Sequence, residues 1–145
     1  MKILMVCLGN ICRSPLAHGI LKHKVQEAGL DWTVESAGTG DWHVGHAPDR
    51  RAIAVAKNNG VDISSQKARQ FKPGFFDLYD KIYVMDKQNL EDVLALAKTS
   101  EQKQKVELFL KDSIVPDPYF DDAMFAPVFD MVNARCQQII DQYKA

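Results

Sequence analysis

Cysteine is scarce in this sequence: only Cys7, Cys12 and Cys136 occur among 145 residues. Three cysteines do not make a disulfide framework, so a small stapled secreted scaffold is excluded and a reducing, cytoplasmic home is expected. No His and Cys spacing has the form of a zinc site, and no metal or other cofactor is expected. Long apolar runs are missing too; the longest are far too short to span a bilayer. The N-terminal run stops at Gly9 and Asn10, so it does not read as a signal peptide. Neither charge sign is in excess: 18 Lys and Arg face 19 Asp and Glu, a formal net charge of −1. That balance gives no reason to expect nucleic acid or an anionic membrane as a partner. There is no internal repeat, low-complexity tract or domain boundary. With 46% hydrophobic and 26% charged residues, the chain reads as one globular domain with a single core over residues 1–145.

What the sequence does have is a dense beginning, KILMVCLGNICRSP, Lys2 to Pro15. Ile3, Leu4, Met5 and Val6 form a short apolar run that ends on Cys7. Arg13, Ser14 and Pro15 follow after five intervening residues, and from Leu16 the pattern turns helical. A buried strand, a tight turn and a helix start are thus compressed into about a dozen residues. Backbone N–H groups and the positive end of a helix dipole converge on one spot, and Cys7 sits there. A thiol so placed, with an Arg nearby, is expected to ionise below its free value of ~8.5. The same amides and the planar fork of Arg13 match the oxygens of a tetrahedral oxyanion. Gly9 and Asn10 tolerate the left-handed backbone that an amide nest needs. Ser14 is expected to cap the helix and to donate its hydroxyl to the sulfur, with Pro15 at the first helical position.

Further along, helices are expected over Leu16–Leu30, Pro48–Asn59, Asp86–Lys98 and Phe125–Tyr143, from apolar residues at helical spacing. Strands are expected at Trp32–Ala37, Lys81–Met85 and Val106–Leu110. Val61–Lys72 is ambiguous, with Ser64 or Ser65 able to cap a short helix over Lys67–Gln70. Pro73–Asp80 reads as a packed turn, Thr99–Lys105 as a polar linker, and Lys111–Met124 as a long loop. Strands alternating with helices argue an α/β fold with a parallel sheet covered on both faces. Such sheets bind ligands beyond the C-terminal edges of their strands. Cys7, the Ser36 loop, Asp86 and Asp117 would all gather there.

VCLGNICRSP, Val6 to Pro15, resembles the phosphate loop of the low-molecular-weight protein tyrosine phosphatases. The resemblance continues through SAGTGDWHVGHAPDRRA (Ser36–Ala52), KARQF (Lys67–Phe71), VMDKQNL (Val84–Leu90) and DPYF (Asp117–Phe120), in order along the chain. It implies a three-layer α/β/α domain with a four-stranded parallel sheet in Rossmann-like winding. It also implies hydrolysis of phosphotyrosine in protein substrates through a phosphocysteine, without metal. Phosphate and vanadate-like oxyanions would inhibit, and the chain would be a monomer or weak dimer. Leu8, Gly9, Asn10, Ile11, Cys12, Arg13 and Ser14 would form the phosphate-binding loop around Cys7. The resemblance further makes Asn10, Ser14 and Ser36 supports of that loop, and Cys12 a reversible disulfide partner that protects Cys7 from overoxidation.

A thiolate attacking a phosphate ester needs an acid on the far side, to protonate the departing oxygen. Asp117 is the candidate: Pro116 and Pro118 restrict the backbone around it, and it matches the Asp of the family's DPY motif. Asp112, Asp121 and Asp122 are rivals on composition alone. Trp42 and Tyr119 match family positions that flank the substrate's ring, and Phe120 follows; aromatic walls favour a long phosphotyrosine. Cys136 lies on a helical stripe and is expected in the core. Two departures stand out. Gln66 replaces a His that many members use to brace the loop. Asp121, with Asp122 behind it, replaces a Gly, which is expected to disfavour acidic substrates and alter the loop's shape. An arsenate reductase is the nearer rival, but no Cys lies between Cys12 and Cys136 to relay a disulfide. A nucleotide P-loop lacks its GK[ST], and a noncatalytic phosphate-binding module would not need nucleophile, Arg and acid together.

Overall fold

A computed structural model describes residues 1–143 of the chain. The apolar run becomes β1 (Lys2–Cys7), followed by α1 (Arg13–Glu27), β2 (Thr33–Gly38) and α2 (Arg50–Asn58). Then come α3 (Phe75–Leu78), β3 (Lys81–Val84), α4 (Lys87–Leu94), α5 (Ser100–Gln104), β4 (Val106–Leu108) and α6 (Phe125–Tyr143), with a single 3₁₀ turn at Asp122–Met124. The sheet is parallel throughout, in the order β2-β1-β3-β4. It is the expected four-stranded, three-layer architecture. β1 lies between β2 and β3, so the winding reverses at its C-terminal end, where α/β sheets open a crevice.

The pleat of β1 sorts its side chains between two cores. Ile3, Met5 and Cys7 face the layer built by α1, α2 and α6, with Leu16, Ile20, Phe129, Cys136 and Ile139. Leu4 and Val6 face the other layer, with Phe71, Phe76, Ile82, Val84 and Val93. All five of Ile3 to Cys7 are essentially buried, as a strand covered on both faces requires. Cys136 is in the core, as its helical stripe indicated, and burial pushes its thiol's pKa up.

Several boundaries differ from the expectation. α1 begins at Arg13, one residue after Cys12, whose side chain makes no capping bond. Ser14 is therefore inside the helix rather than its cap, and Pro15 is the third helical residue rather than the first. The helix can start early because Asn10 alone among the described non-glycine residues takes a positive φ, +57°, and closes the turn quickly. Gly9 does not share that conformation. Residues 61–72 contain no helix; after a turn at Ser64 and Ser65 they pass the end of β2, with Gly38 bridging Gln70. The polar linker holds α5, started by Thr99, whose hydroxyl accepts from Gln102 N at 3.1 Å. Asp86 caps α4 by accepting from Asn89 N at 2.8 Å, and that helix ends at Leu94 rather than Lys98.

Candidate active site

β1 delivers Cys7 to the crevice, and the turn wraps its sulfur in donors. Asn10 N–H points at Cys7 Sγ across 3.3 Å, and Ser14 Oγ lies 3.0 Å from it. Asn10 Nδ2 donates to Ser14 Oγ at 2.8 Å, which leaves the Ser14 proton two acceptors, the Cys7 sulfur at 3.0 Å and the Ala37 carbonyl at 3.5 Å. The same Asn10 amide donates to Ser36 Oγ at 3.0 Å, and Asn10 Oδ1 accepts from Arg69 N at 3.0 Å. One buried side chain thus holds together the phosphate loop, the end of β2 and the extended segment beyond α2. That offsets the cost of Asn10's left-handed backbone, about 1 kcal/mol or more.

Arg13 is buried with its fork held from the back. Nη1 donates to Asp86 Oδ2 at 2.7 Å and to the Val115 carbonyl at 3.1 Å. Burial works against its charge, yet Cys7, Asp86 and Asp117 outweigh it and hold the guanidinium's pKa above its ordinary value. Asp86 does more than cap α4: one carboxylate oxygen takes the helix, the other the guanidinium. Asp117 stands on the opposite side of the fork, its Oδ2 3.9 Å from Arg13 Nη2. Its other oxygen accepts from Tyr119 N at 3.1 Å, an Asx turn that spans Pro118.

These groups share one cavity of ≈ 200 Å³, lined by Cys7, Leu8, Gly9, Ile11, Cys12, Arg13, Trp42, His43, Asp117, Tyr119 and Phe120. Of the residues expected at the site, the catalytic candidates, most of the loop and all three aromatic walls therefore meet there. Asn10, Ser14 and Ser36 lie behind it, as supports. Trp42 is 67% exposed and Phe120 89%, so the walls stand out from the surface as a rim. Trp42's ring lies over the backbone of Gly40: a Cβ there would meet the ring at 2.0 Å. Cys12 lines the same cavity as Cys7, and both thiols are free. Burial, then Asp49, Cys7 and Asp117, push the Cys12 thiol's pKa up, which keeps it protonated.

Three residues of the site were not anticipated. His18, one turn into α1, places Nδ1 3.0 Å from Ser36 Oγ. Burial, with Lys22 and Arg69 adding to it, pushes its pKa down to about 4. It is neutral at physiological pH, and its Nδ1 can take the proton of the Ser36 hydroxyl. Arg69 reaches the Ser36 carbonyl through Nε at 3.0 Å and Tyr79 Oη through Nη2 at 2.7 Å. Arg51 grips Asp49 and Asp122 and lies under the rings of Tyr119 and Phe125. The departures are absorbed here as well. Gln66 donates to the Pro15 carbonyl at 3.2 Å. Asp121 accepts from Ala123 N at 3.0 Å to start the 3₁₀ turn, and Asp122 pairs with Arg51. The start of a helix, a Cys and an Arg thus meet at one cavity.

A family model for the low molecular weight phosphotyrosine protein phosphatases matches residues 2–145. The chain belongs to that family. The low molecular weight phosphotyrosine protein phosphatase 2 of Drosophila melanogaster is 36% identical to it over 97% of this chain and 90% of the relative. A solved protein tyrosine phosphatase from Entamoeba histolytica, with Hepes in its active site, superposes with a TM-score of 0.93 at 33% identity, covering 99% of this chain and 97% of that one. A Drosophila arginine phosphatase superposes with a TM-score of 0.92 at 35% identity, covering 100% and 99%. The enzyme class expected from the sequence, a cysteine-dependent protein tyrosine phosphatase of low molecular weight, stands with the family. Among the described residues no helix is long and apolar enough to cross a membrane.

Proposed function

We propose that this phosphatase hydrolyses phosphotyrosine in proteins, and small aryl phosphates, with Cys7 as nucleophile, Arg13 as clamp and Asp117 as acid and base. The reading rests on one observation above the rest: Cys7, Arg13 and Asp117 line a single cavity with Trp42 and Tyr119. The sulfur attacks phosphorus in line while Arg13 and the amides of residues 8–14 hold the equatorial oxygens. Asp117 protonates the leaving phenolate as the phosphorus–oxygen bond breaks. Water then enters, Asp117 takes its proton, and phosphate leaves the restored Cys7. Inorganic phosphate and vanadate occupy the same cradle and compete. Cys12, beside the nucleophile in the same cavity, is its partner in a protective disulfide.

The volume supports an aryl head. A cavity of about 150 Å³ holds benzene, and this one measures ≈ 200 Å³. Its walls also bear on the arginine phosphatase likeness. A phosphoguanidino group carries several N–H donors, whereas the cavity offers Leu8, Ile11, Trp42, Tyr119 and Phe120, with Asp117 as its carboxylate. A flat ester suits those walls better. The test is hydrolysis of para-nitrophenyl phosphate, phosphotyrosine and phosphoarginine by the natural chain, Cys7→Ser and Asp117→Ala. Cys7→Ser should lose turnover and still bind phosphate. Asp117→Ala should lose kcat by about two orders of magnitude on poor leaving groups. Retained activity in Cys7→Ser, or preference for phosphoarginine, overturns the reading.

A further inference from the structure

A second cavity of ≈ 450 Å³ adjoins the first, with Thr39, Phe71, Asp92, Val93 and Leu96 among its lining. The two share Leu8 and Trp42. Those side chains form a ridge with an aryl-sized hole on one side and a larger groove on the other. The backbone beneath the ridge is held, because Thr39 N donates to the Cys7 carbonyl and Gly40 N to the Leu8 carbonyl, both at 2.9 Å. Beyond the ridge, the groove is apolar at its base, where Phe71 and Val93 are buried, and its far rim carries Leu96, 40% exposed. Two polar features stand in it. Asp92 contributes a carboxylate, and the Thr39 hydroxyl is buried with no hydrogen-bond partner among the described residues.

We infer that this groove is a substrate subsite for the residue flanking the phosphotyrosine, selecting an aliphatic or cationic side chain and rejecting an acidic one. The inference deepens the phosphatase reading and rests on it. The first cavity has room for one aryl phosphate head and little else, so the remainder of a peptide must leave over its rim. Across the Leu8–Trp42 ridge the next surface is an apolar trough with ample room for a side chain, continuous with the reacting site. Burial of an aliphatic side chain against Phe71, Val93 and Leu96 supplies affinity that free phosphotyrosine cannot gain. Asp92 sets the sign: it attracts the end of a Lys or Arg stem and repels Glu or Asp.

The experiment compares kcat/KM for para-nitrophenyl phosphate with that for phosphotyrosyl peptides carrying Leu, Lys or Glu on either side of the phosphotyrosine. At one of the two flanking positions the natural chain should prefer Leu or Lys over Glu by about tenfold. Leu96→Asp should lower kcat/KM for the Leu peptide by about tenfold, through KM. Asp92→Lys should reverse the order of the Lys and Glu peptides. Both variants should keep para-nitrophenyl phosphate turnover within twofold, which also reports that they fold. A flat peptide profile with normal para-nitrophenyl phosphate activity overturns the subsite alone. Equal losses on peptide and para-nitrophenyl phosphate in Leu96→Asp also overturn it. Inactivity of the natural chain on every ester removes the phosphatase reading, and the subsite with it.

Discussion

Asp86→Asn is the substitution that separates geometry from charge in the clamp. Asp86 spends both oxygens: Oδ1 takes Asn89 N–H at the start of α4, and Oδ2 takes Arg13 Nη1 at 2.7 Å. Asparagine is nearly the same shape but has one acceptor, so its amide nitrogen must face a second donor. Either α4 loses its cap, about 1 kcal/mol, or Arg13 loses a charge-assisted bond, roughly 1.5–3 kcal/mol. Breaking a fully buried pair would cost about 3–5 kcal/mol. The lower range applies here because Asp86 is 23% exposed and Arg13 keeps the Val115 carbonyl at 3.1 Å. The expected destabilisation is about 2 kcal/mol, measured by urea unfolding.

The kinetic consequence carries the sharper sign. If Asp86 matters only as a nearby negative charge, its removal raises the positive potential at the cradle, and inorganic phosphate should bind more tightly. If it aims the guanidinium, the fork loses its rear anchor and phosphate binds more weakly. We expect the second outcome: an inhibition constant for phosphate raised about tenfold, and kcat lowered about tenfold to thirtyfold, since about 1.4 kcal/mol is a factor of ten. Tighter phosphate binding with a stability loss under about 0.5 kcal/mol would falsify the positioning role.

The other expectations follow from single contacts. Asn10→Ala removes three hydrogen bonds and leaves Ala at a φ of +57°; it should cost about 3–4 kcal/mol and most of the activity, and a thermal midpoint close to that of the natural chain would refute the network. Gly40→Ala puts a methyl where the Trp42 ring lies, 2.0 Å from it, so the ring must swing away. KM for aryl phosphates should rise severalfold with kcat little changed, and tryptophan fluorescence should shift. His18, with its pKa pushed down to about 4, stays neutral in the folded chain while the unfolded chain takes up a proton near pH 6.5. Its contribution is therefore intact above pH 6.5 and is lost as pH falls toward 4, roughly 3 kcal/mol in all. Urea unfolding of His18→Gln should show a flatter acid limb over that window, and an unchanged limb refutes the assignment.

How legible the site was depended on the range of the contacts. Cys7, Arg13 and the loop between them lie within seven residues, and a strand, turn and helix start leave them little freedom. Asp117 was legible as a candidate because its flanking prolines and its place after the last strand restrict it, and the fold puts it in the same cavity as Cys7 and Arg13. Ser14 was misplaced by one turn's logic: Ser before Pro resembles a cap, but Asn10 closes the turn earlier, so the helix absorbs Ser14 and turns its hydroxyl to sulfur. His18 and Arg69 gave no local signal, because their partners, the Ser36 hydroxyl and carbonyl, lie 18 and 33 residues away. Arg51 bonds Asp49 two residues back, but its second partner, Asp122, lies 71 residues away. A polar residue on a helix or in a loop reads as solvated until the fold brings its partner to it. The helix α5 was missed because its five residues are all polar or charged and it buries none of them, leaving no periodicity to read.

The proposed acid and clamp, Asp117 and Arg13, come from distant parts of the chain, yet one residue ties them. Val115 N donates to the Met85 carbonyl at the end of β3, at 2.8 Å, while Val115's own carbonyl accepts from Arg13. Met85 in turn donates to the Val6 carbonyl at 3.2 Å, one residue before the nucleophile. Backbone bonds therefore run from the strand that ends in Cys7, through the strand that leads to Asp86, to the loop that carries Asp117 two residues later. Pro116 and Pro118 restrict the torsions that remain. The sulfur, the guanidinium and the carboxyl are registered on the sheet edge rather than on independent loops. A displacement of one strand end by 1 Å would move nucleophile and acid out of line together, and in-line transfer tolerates little of that. The rigidity of an otherwise plain four-stranded sheet is thus the physical basis of the proposed chemistry.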